Sequence, residues 1–179
     1  MTTATNPLLD FTDLPRFDAI KPEYVTPAIE ALIAEANAIV AQLEAPLDNV
    51  TWDTLAPLDE ASERLGRAWG VIGHLNHVMD TPELRAVYNE NQPKVVEFST
   101  AIGQNEALFA KYKALRDGPA YASLSPTRKR IVDNAIRDFR LGGAELADDK
   151  KARFADIQEQ QSQLSTRFSE NVLDRKSVV

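Results

Sequence analysis

The run Pro57-Leu58-Asp59-Glu60-Ala61-Ser62-Glu63-Arg64-Leu65-Gly66-Arg67-Ala68-Trp69-Gly70-Val71-Ile72-Gly73-His74-Leu75-Asn76-His77-Val78-Met79 decides the fold class. Leu58, Ala61, Leu65, Ala68, Trp69, Ile72, Leu75 and Met79 recur mostly in steps of three and four, the period that lines one face of an α-helix. A short turn is expected near Thr51, with the helix restarting at Pro57. Gly66, Gly70 and Gly73 interrupt the stripe, and glycine inside a helix costs about 1 kcal/mol relative to alanine. Close approach of a neighbouring helix is the expected reason, and a local bend the alternative.

Upstream, Thr26-Pro27 reads as a capping hydroxyl followed by a proline whose missing N–H costs nothing in the first turn. Ile29, Leu32, Ile33, Ala36, Val40 and Leu43 then mark one helical face. Downstream, Thr81-Pro82 opens a stripe of Leu84, Tyr88, Asn91, Val95, Phe98 and Ile102, in which Pro93 is expected to kink or restart the helix. Leu108, Phe109, Tyr112 and Leu115 follow, up to Asp117-Gly118-Pro119. Ser125-Pro126 opens a helix carrying Ile131, Ala135 and Phe139, which Gly142-Gly143 ends as a left-handed cap. The last helix, about 149–174, is expected to bury Phe154, Ile157, Gln161, Leu164, Phe168 and Val172. Burial of Ile157, Leu164, Phe168 and Val172 alone would contribute about 6–12 kcal/mol, at roughly 1.5–3 kcal/mol each. A chain holding only part of the surface these side chains need would expose them and tend to associate.

The fold class is therefore all-α, a stack of antiparallel helical hairpins. Three segments are expected: an extended, proline-punctuated arm over 1–24 that packs on the body, a helical domain over 25–174, and an atypical tail over 175–179. In the arm, Pro7, Pro15 and Pro22 disfavour helix before them, while Leu8, Leu9, Phe11, Leu14, Phe17 and Ile20 would be buried.

Composition narrows the function classes. The 179 residues are 44% hydrophobic and 26% charged, with only 7 glycines, as in a helical globular protein. A net charge of -7 argues against nucleic acid, whose phosphates it repels. Arg128, Lys129, Arg130, Arg137 and Arg140 are interrupted by Asp133 and Asp138 and read as a solvated helix face. No cysteine is present, which removes disulfides and thiolate chemistry. Met1–Asp10 holds no Lys or Arg and does not read as a signal peptide. No apolar stretch is expected to reach the roughly 20 residues of a membrane span. No membrane partner and a cytoplasmic location are the resulting expectations.

Only two histidines could supply imidazole chemistry, His74 and His77, three apart on one helix. With Asp80 or Glu63 they offer donors for a weak metal site, but a catalytic zinc takes three protein ligands, and two such histidines are more often surface or capping groups. The H-E-x-x-H motif is absent, since Leu75 follows His74 and Val78 follows His77. G-x-S-x-G, P-loop and G-x-G-x-x-G motifs are absent too. Asp59, Glu60 and Glu63 read as solvated carboxylates. Trp52, Trp69 and the tyrosines read as packing residues. No catalytic, cofactor-binding or metal-ligating residue is assigned.

The order of several short stretches is more specific. Asn6-Pro7-Leu8-Leu9, the run Leu14-Pro15-Arg16-Phe17-Asp18-Ala19-Ile20-Lys21-Pro22-Glu23 and Thr26-Pro27-Ala28 open the series. Thr51-Trp52, His74-Leu75-Asn76, Pro82-Glu83-Leu84-Arg85 and the segment from Tyr112 to Gly118 continue it. Val132-Asp133-Asn134-Ala135, Arg137-Asp138-Phe139 and Phe168-Ser169-Glu170-Asn171-Val172-Leu173-Asp174 close it. Together they resemble the amino-terminal region of the thimet-oligopeptidase family of zinc metallopeptidases, over about residues 6–174.

The resemblance implies a helical, cytoplasmic enzyme that cleaves short peptides inside a deep channel. Zinc is held in that family by the histidines of H-E-x-x-H and a later glutamate, all beyond the region matched here. It implies that this chain is a channel-wall part that lacks the catalytic centre, binds no zinc itself and needs the missing C-terminal catalytic part as its partner. The family pattern departs at Arg175-Lys176-Ser177-Val178-Val179, where a truncation, a frameshift or an artificial boundary is expected. The competing reading of the residues is a stand-alone helical protein-interaction module.

Overall fold

Helix α1 (Val25–Glu44) and helix α2 (Trp52–Val78) form an antiparallel pair, and the computed structural model describes residues 6–175 around them. Residues 1–5 of the expected arm and 176–179 of the expected tail lie outside the described residues. The remaining helices are α3 (Pro82–Gly103), α4 (Glu106–Asp117), the single turn α5 (Pro119–Ala122), α6 (Pro126–Gly142) and α7 (Asp148–Arg175). No strand occurs among the described residues, and the molecule is all-α.

Two apolar clusters hold the helices. In the first, Val25, Ala28, Ile29, Leu32 and Ala36 of α1 meet Ala61, Leu65, Ala68, Ile72 and Leu75 of α2, with Leu84 and Phe98 of α3 closing one side. In the second, Val40 and Leu43 from the end of α1 meet Leu55 and Leu58 from the start of α2, packed on Leu108, Phe109, Tyr112 and Leu115 of α4 and on Val132 and Phe139 of α6. The pairs α4/α6 and α3/α7 are also antiparallel, as shown by Arg116–Asp133 in one and Arg85–Asp174 with Gln104–Lys151 in the other.

Several starts and stops follow the expected chemistry. Thr81, Asn105 and Ser125 accept backbone N–H groups three residues on, each supplying a donor-rich helix start with an acceptor. Gly143 ends α6 at φ 97, a conformation open to glycine at little cost.

Other expectations need correction. Thr26 does not cap α1: a 3-10 turn, Pro22–Tyr24, runs into the helix at Val25. The Thr26 hydroxyl instead accepts from Asn91 Nδ2 of α3 at 2.7 Å. Helix α2 does not restart at Pro57, because a capping box between Thr51 and Thr54 begins it a turn earlier and the helix runs through the proline. Pro93 likewise lies within the continuous α3. Both proline rings are exposed, so the carbonyls of Asp53 and Asn89, which lose their helical donor, face water.

The glycine explanation also changes place. A Cβ at Gly66 or Gly70 would meet nothing within 4 Å, and at Gly73 only the edge of Tyr88. The close approach lies between Gly103 and Gly142, where α3 and α6 cross: a Cβ on Gly142 would stand 3.0 Å from Gly103 Cα and carbonyl oxygen. In α6 the inward residue is Val132, at 1% exposure, while Ile131 faces out. Met79 at the end of α2 is exposed as well.

The segment 6–24 is a series of 3-10 turns, Pro7–Leu9, Phe17–Ala19 and Pro22–Tyr24, joined by extended residues. Leu8 is buried and Phe11 and Ile20 pack on the first cluster, but Leu14 is 81% exposed, and Leu9 and Phe17, also expected to be buried, are partly in water. Asn6 ties the segment down by donating to the Tyr24 carbonyl.

The stretch Pro22–Glu44 is, contrary to expectation, long and apolar enough to cross a membrane by length and composition, with a mean hydropathy of 1.2 in its richest window. Its apolar face is the set Val25, Ala28, Ile29, Leu32, Ala36, Val40 and Leu43, all buried against other helices. Outside that face Glu30 makes an ion pair with Lys94 of α3 and Glu35 with Arg64 of α2.

The largest correction concerns α7. Ile157, Leu164, Phe168 and Val172 do not form an inner face: they are 44%, 65%, 71% and 44% exposed. Gln161 is exposed too, whereas Phe154 is half-buried, and the half-buried residues of α7 are otherwise mostly polar. Thr166 donates to Gln92, Asn89 to Glu170, Gln104 to the Lys151 carbonyl, and Arg85 to Asp174.

Candidate functional site

A concave place lined by one of the sequence-marked histidines, His77, lies where α2, α3 and α7 meet. The connection from α2 to α3 turns at Asp80, whose φ of 36 is rare for a residue other than glycine and best tolerated by Asp and Asn. That turn aims the Asp80 carboxylate back at Arg85, one turn into α3. Arg85 Nη2 donates to both carboxylate oxygens at 2.8 Å and Nε to one of them at 3.0 Å. Its Nη2 also reaches Asp174 of α7 at 3.2 Å. The hydrogen bonds to Asp80, then to Asp174, raise the affinity of Arg85 for its proton above the ordinary value.

Beside this ion pair is a cavity of about 100 Å³, lined by Asn76, His77, Tyr88, Gln92, Ser165 and Ser169 among others. Asn76 is 8% exposed, and its Oδ1 has no hydrogen-bond partner among the described residues. Tyr88 stacks on Trp69 with ring centroids 4.7 Å apart, and partial burial raises its phenol above the usual value. Of the charged and titratable groups around the cavity, Asp80 and Arg85 pair with each other, Glu170 accepts from Asn89 and His77 bonds the Gly73 carbonyl. The cavity offers hydrogen bonds, but no activated nucleophile or free acid–base pair.

Both marked histidines are exposed and engaged elsewhere. His77 Nδ1 lies 2.6 Å from the Gly73 carbonyl, so Nδ1 carries the proton and donates. The His74 ring meets Phe17 edge to face at 5.5 Å. Glu63, the optional third donor, is eleven residues before His74, about 16 Å away along the helix at 1.5 Å per residue. Among the described residues no group of three or more His, Asp or Glu side chains could hold a metal ion. The donor set therefore does not fit a zinc centre, which needs three protein ligands around one point.

The remaining marked residues are structural. Arg128 lies over Trp52, Arg137 pairs with Asp138 and Arg140 with Glu145, all on an exposed face of α6. Asp59, Glu60 and Glu63 are exposed, and Asp59 also accepts from the Tyr112 hydroxyl at 2.9 Å. Loss of water raises the Asp59 pKa above the ordinary value, opposed by that hydrogen bond, while burial and the neighbouring carboxylate keep the Tyr112 phenol protonated. Sequence reading passes over Asp80–Arg85 and the buried Asn76. An acid followed five residues later by arginine is too common to stand out, but an asparagine beside the apolar stripe of α2 was a usable signal.

These helices define a known class. Residues 29–151 match the family described as the neurolysin/thimet oligopeptidase N-terminal domain, and the chain belongs to that family. Among curated relatives, the chain is 44% identical over 171 residues to oligopeptidase A of Salmonella typhimurium and 42% identical to that of Escherichia coli. Each alignment covers 95% of this chain and 25% of the relative. A probable cytosolic oligopeptidase A of Arabidopsis thaliana is 41% identical over 97% of the chain. The chain thus spans about a quarter of the length of these relatives.

Proposed function

We propose that this chain is the N-terminal, channel-wall part of a zinc metallo-oligopeptidase that hydrolyses short peptides. The observation that carries this reading is the alignment itself: 40–44% identity to oligopeptidases A through nearly the whole chain, with the family match at residues 29–151. In this reading zinc and the groups that act on the peptide belong to the other three quarters of the enzyme. Residues 6–175 contribute a rigid helical wall. The lack of H-E-x-x-H and of a three-donor cluster among the described residues supports that division of labour.

The organisation proposed with it is a packed arm over 1–24 and a helical domain over 25–174. The working location is the cytoplasm, supported by a relative named as probably cytosolic, although another is named as organellar.

The purified chain is expected to release no product from a quenched fluorescent peptide and to hold no stoichiometric zinc by atomic absorption. When it replaces the aligned quarter of the Salmonella typhimurium oligopeptidase A, the chimera is expected to cleave the same peptide in a chelator-sensitive manner. Cleavage by the chain alone, proportional to pure protein, would overturn the division of labour. An inactive but folded chimera would overturn the channel-wall reading.

A further inference from the structure

Helix α7 is built with its polarity reversed. The face packed on α3 is mostly polar, carrying Gln158, Ser162, Thr166, Ser169 and Glu170 beside Phe154, Ala155 and Leu173, all half-buried, and is joined by side-chain hydrogen bonds. The opposite face carries Ile157, Leu164, Phe168 and Val172 in water. At 100° per residue, Ile157, Leu164 and Phe168 fall within an arc of about 40°, with Val172 at its edge. A face meant for solvent would interleave charges of both signs. Here the exposed polar residues within about 60° of the stripe's centre are Lys150, Arg153, Gln160, Gln161 and Asn171, with no carboxylate among them, while Arg167 stands farther round beside Asp156 and Asp174.

That pattern selects an occupant. Depletion of charge around large apolar side chains marks the centre of a protein interface. A second copy of the same face is a poor occupant, because one helix stripe is small against the roughly 800 Å² per partner of a standard stable interface. A different surface, apolar along its middle, complements the stripe. The relatives carry three further quarters of polypeptide in the same chain, where a covalent link makes even a small interface effective.

We propose that the outward stripe of α7 is the seat of the catalytic part of the enzyme, which covers Ile157, Leu164, Phe168 and Val172 with an apolar element. This rests on the reading of the chain as one part of a longer peptidase. In that assembly α7 is the shared helix: polar towards its own domain, apolar towards the other.

Hydrogen exchange on α7 tests it, comparing the isolated chain with the chimera made from the Salmonella typhimurium oligopeptidase A. Amides of 157–172 are expected to exchange about tenfold or more slowly in the chimera. The pair Leu164→Lys and Phe168→Lys is expected to abolish that difference, while Leu141→Lys, an equally exposed apolar site on α6, leaves it intact. Equal exchange in chain and chimera, or protection that survives the double substitution, overturns the proposal. So does a dimer of the isolated chain in sedimentation that the double substitution dissolves while α7 in the chimera stays unprotected. Peptide cleavage by the chimera reads the functional proposal separately: an active chimera with an unprotected α7 sinks the interface alone, and a protected α7 in an inactive chimera sinks the activity alone.

Discussion

Helices α1 and α7 carry apolar stripes of the same period and similar length, yet α1 turns its stripe into the molecule and α7 turns its stripe out. The difference lies in what faces them. Along α1 stand α2, α3 and α4, whose apolar side chains leave no position for water. Along α7 stands α3 alone among its principal neighbours, offering Arg85, Asn89, Gln92 and Gln104, with which only polar side chains can pair. Periodicity therefore identifies a face, and the neighbour decides which face is inside.

The strongest way to break this comparison is by truncation. Leu32→Ala in α1, where the side chain is 2% exposed, is expected to cost about 2–5 kcal/mol in urea unfolding of the isolated chain. Leu164→Ala in α7, at 65% exposure, is expected to change stability by about 0.5 kcal/mol or less. Equal losses would show that α7 is buried within its own domain. Glycines sharpen the same contrast between packed and open faces. Gly142→Ala drives a methyl into the backbone of Gly103, which cannot rotate away, and is expected to cost about 1–3 kcal/mol. Gly66→Ala and Gly70→Ala, with open space around each, are expected to stabilise the chain by up to about 1 kcal/mol apiece, visible as a higher urea midpoint at unchanged slope. Loss of stability at Gly66 or Gly70 would mean that a neighbour approaches there after all.

The helices were largely legible because their determinants are local. Thr81, Ser125 and Gly143 act on their own termini, and the stripes of α1, α3 and α4 face inward as their spacing implies. What stayed hidden depends on distant partners. Thr26 looks like a cap but serves Asn91, which is 65 residues away in sequence. Glycine spacing pointed to α2, while the close crossing joins Gly103 at the end of α3 to Gly142, which reads in sequence only as part of a cap. Pro57 and Pro93 looked like breaks, and exposure of their rings let the helices continue. Of the candidate site, the two histidines were visible, and their lack of a third donor was readable from the count alone. The ion pair of Asp80, Arg85 and Asp174 was not, because it draws on a turn and two helices that only tertiary structure assembles.

The glycine crossing has a mechanical consequence. Gly103 is at the last turn of α3, and Arg85, which grips α7, is eighteen residues away, about 27 Å along the helix axis at 1.5 Å per residue. Gly142 is thus a fulcrum and α3 a lever. A tilt of about 5° at the contact swings the far end by roughly 2 Å, comparable to half the thickness of an aromatic pair. Two absent methyl groups at one end of the molecule therefore set the alignment of a surface at the other.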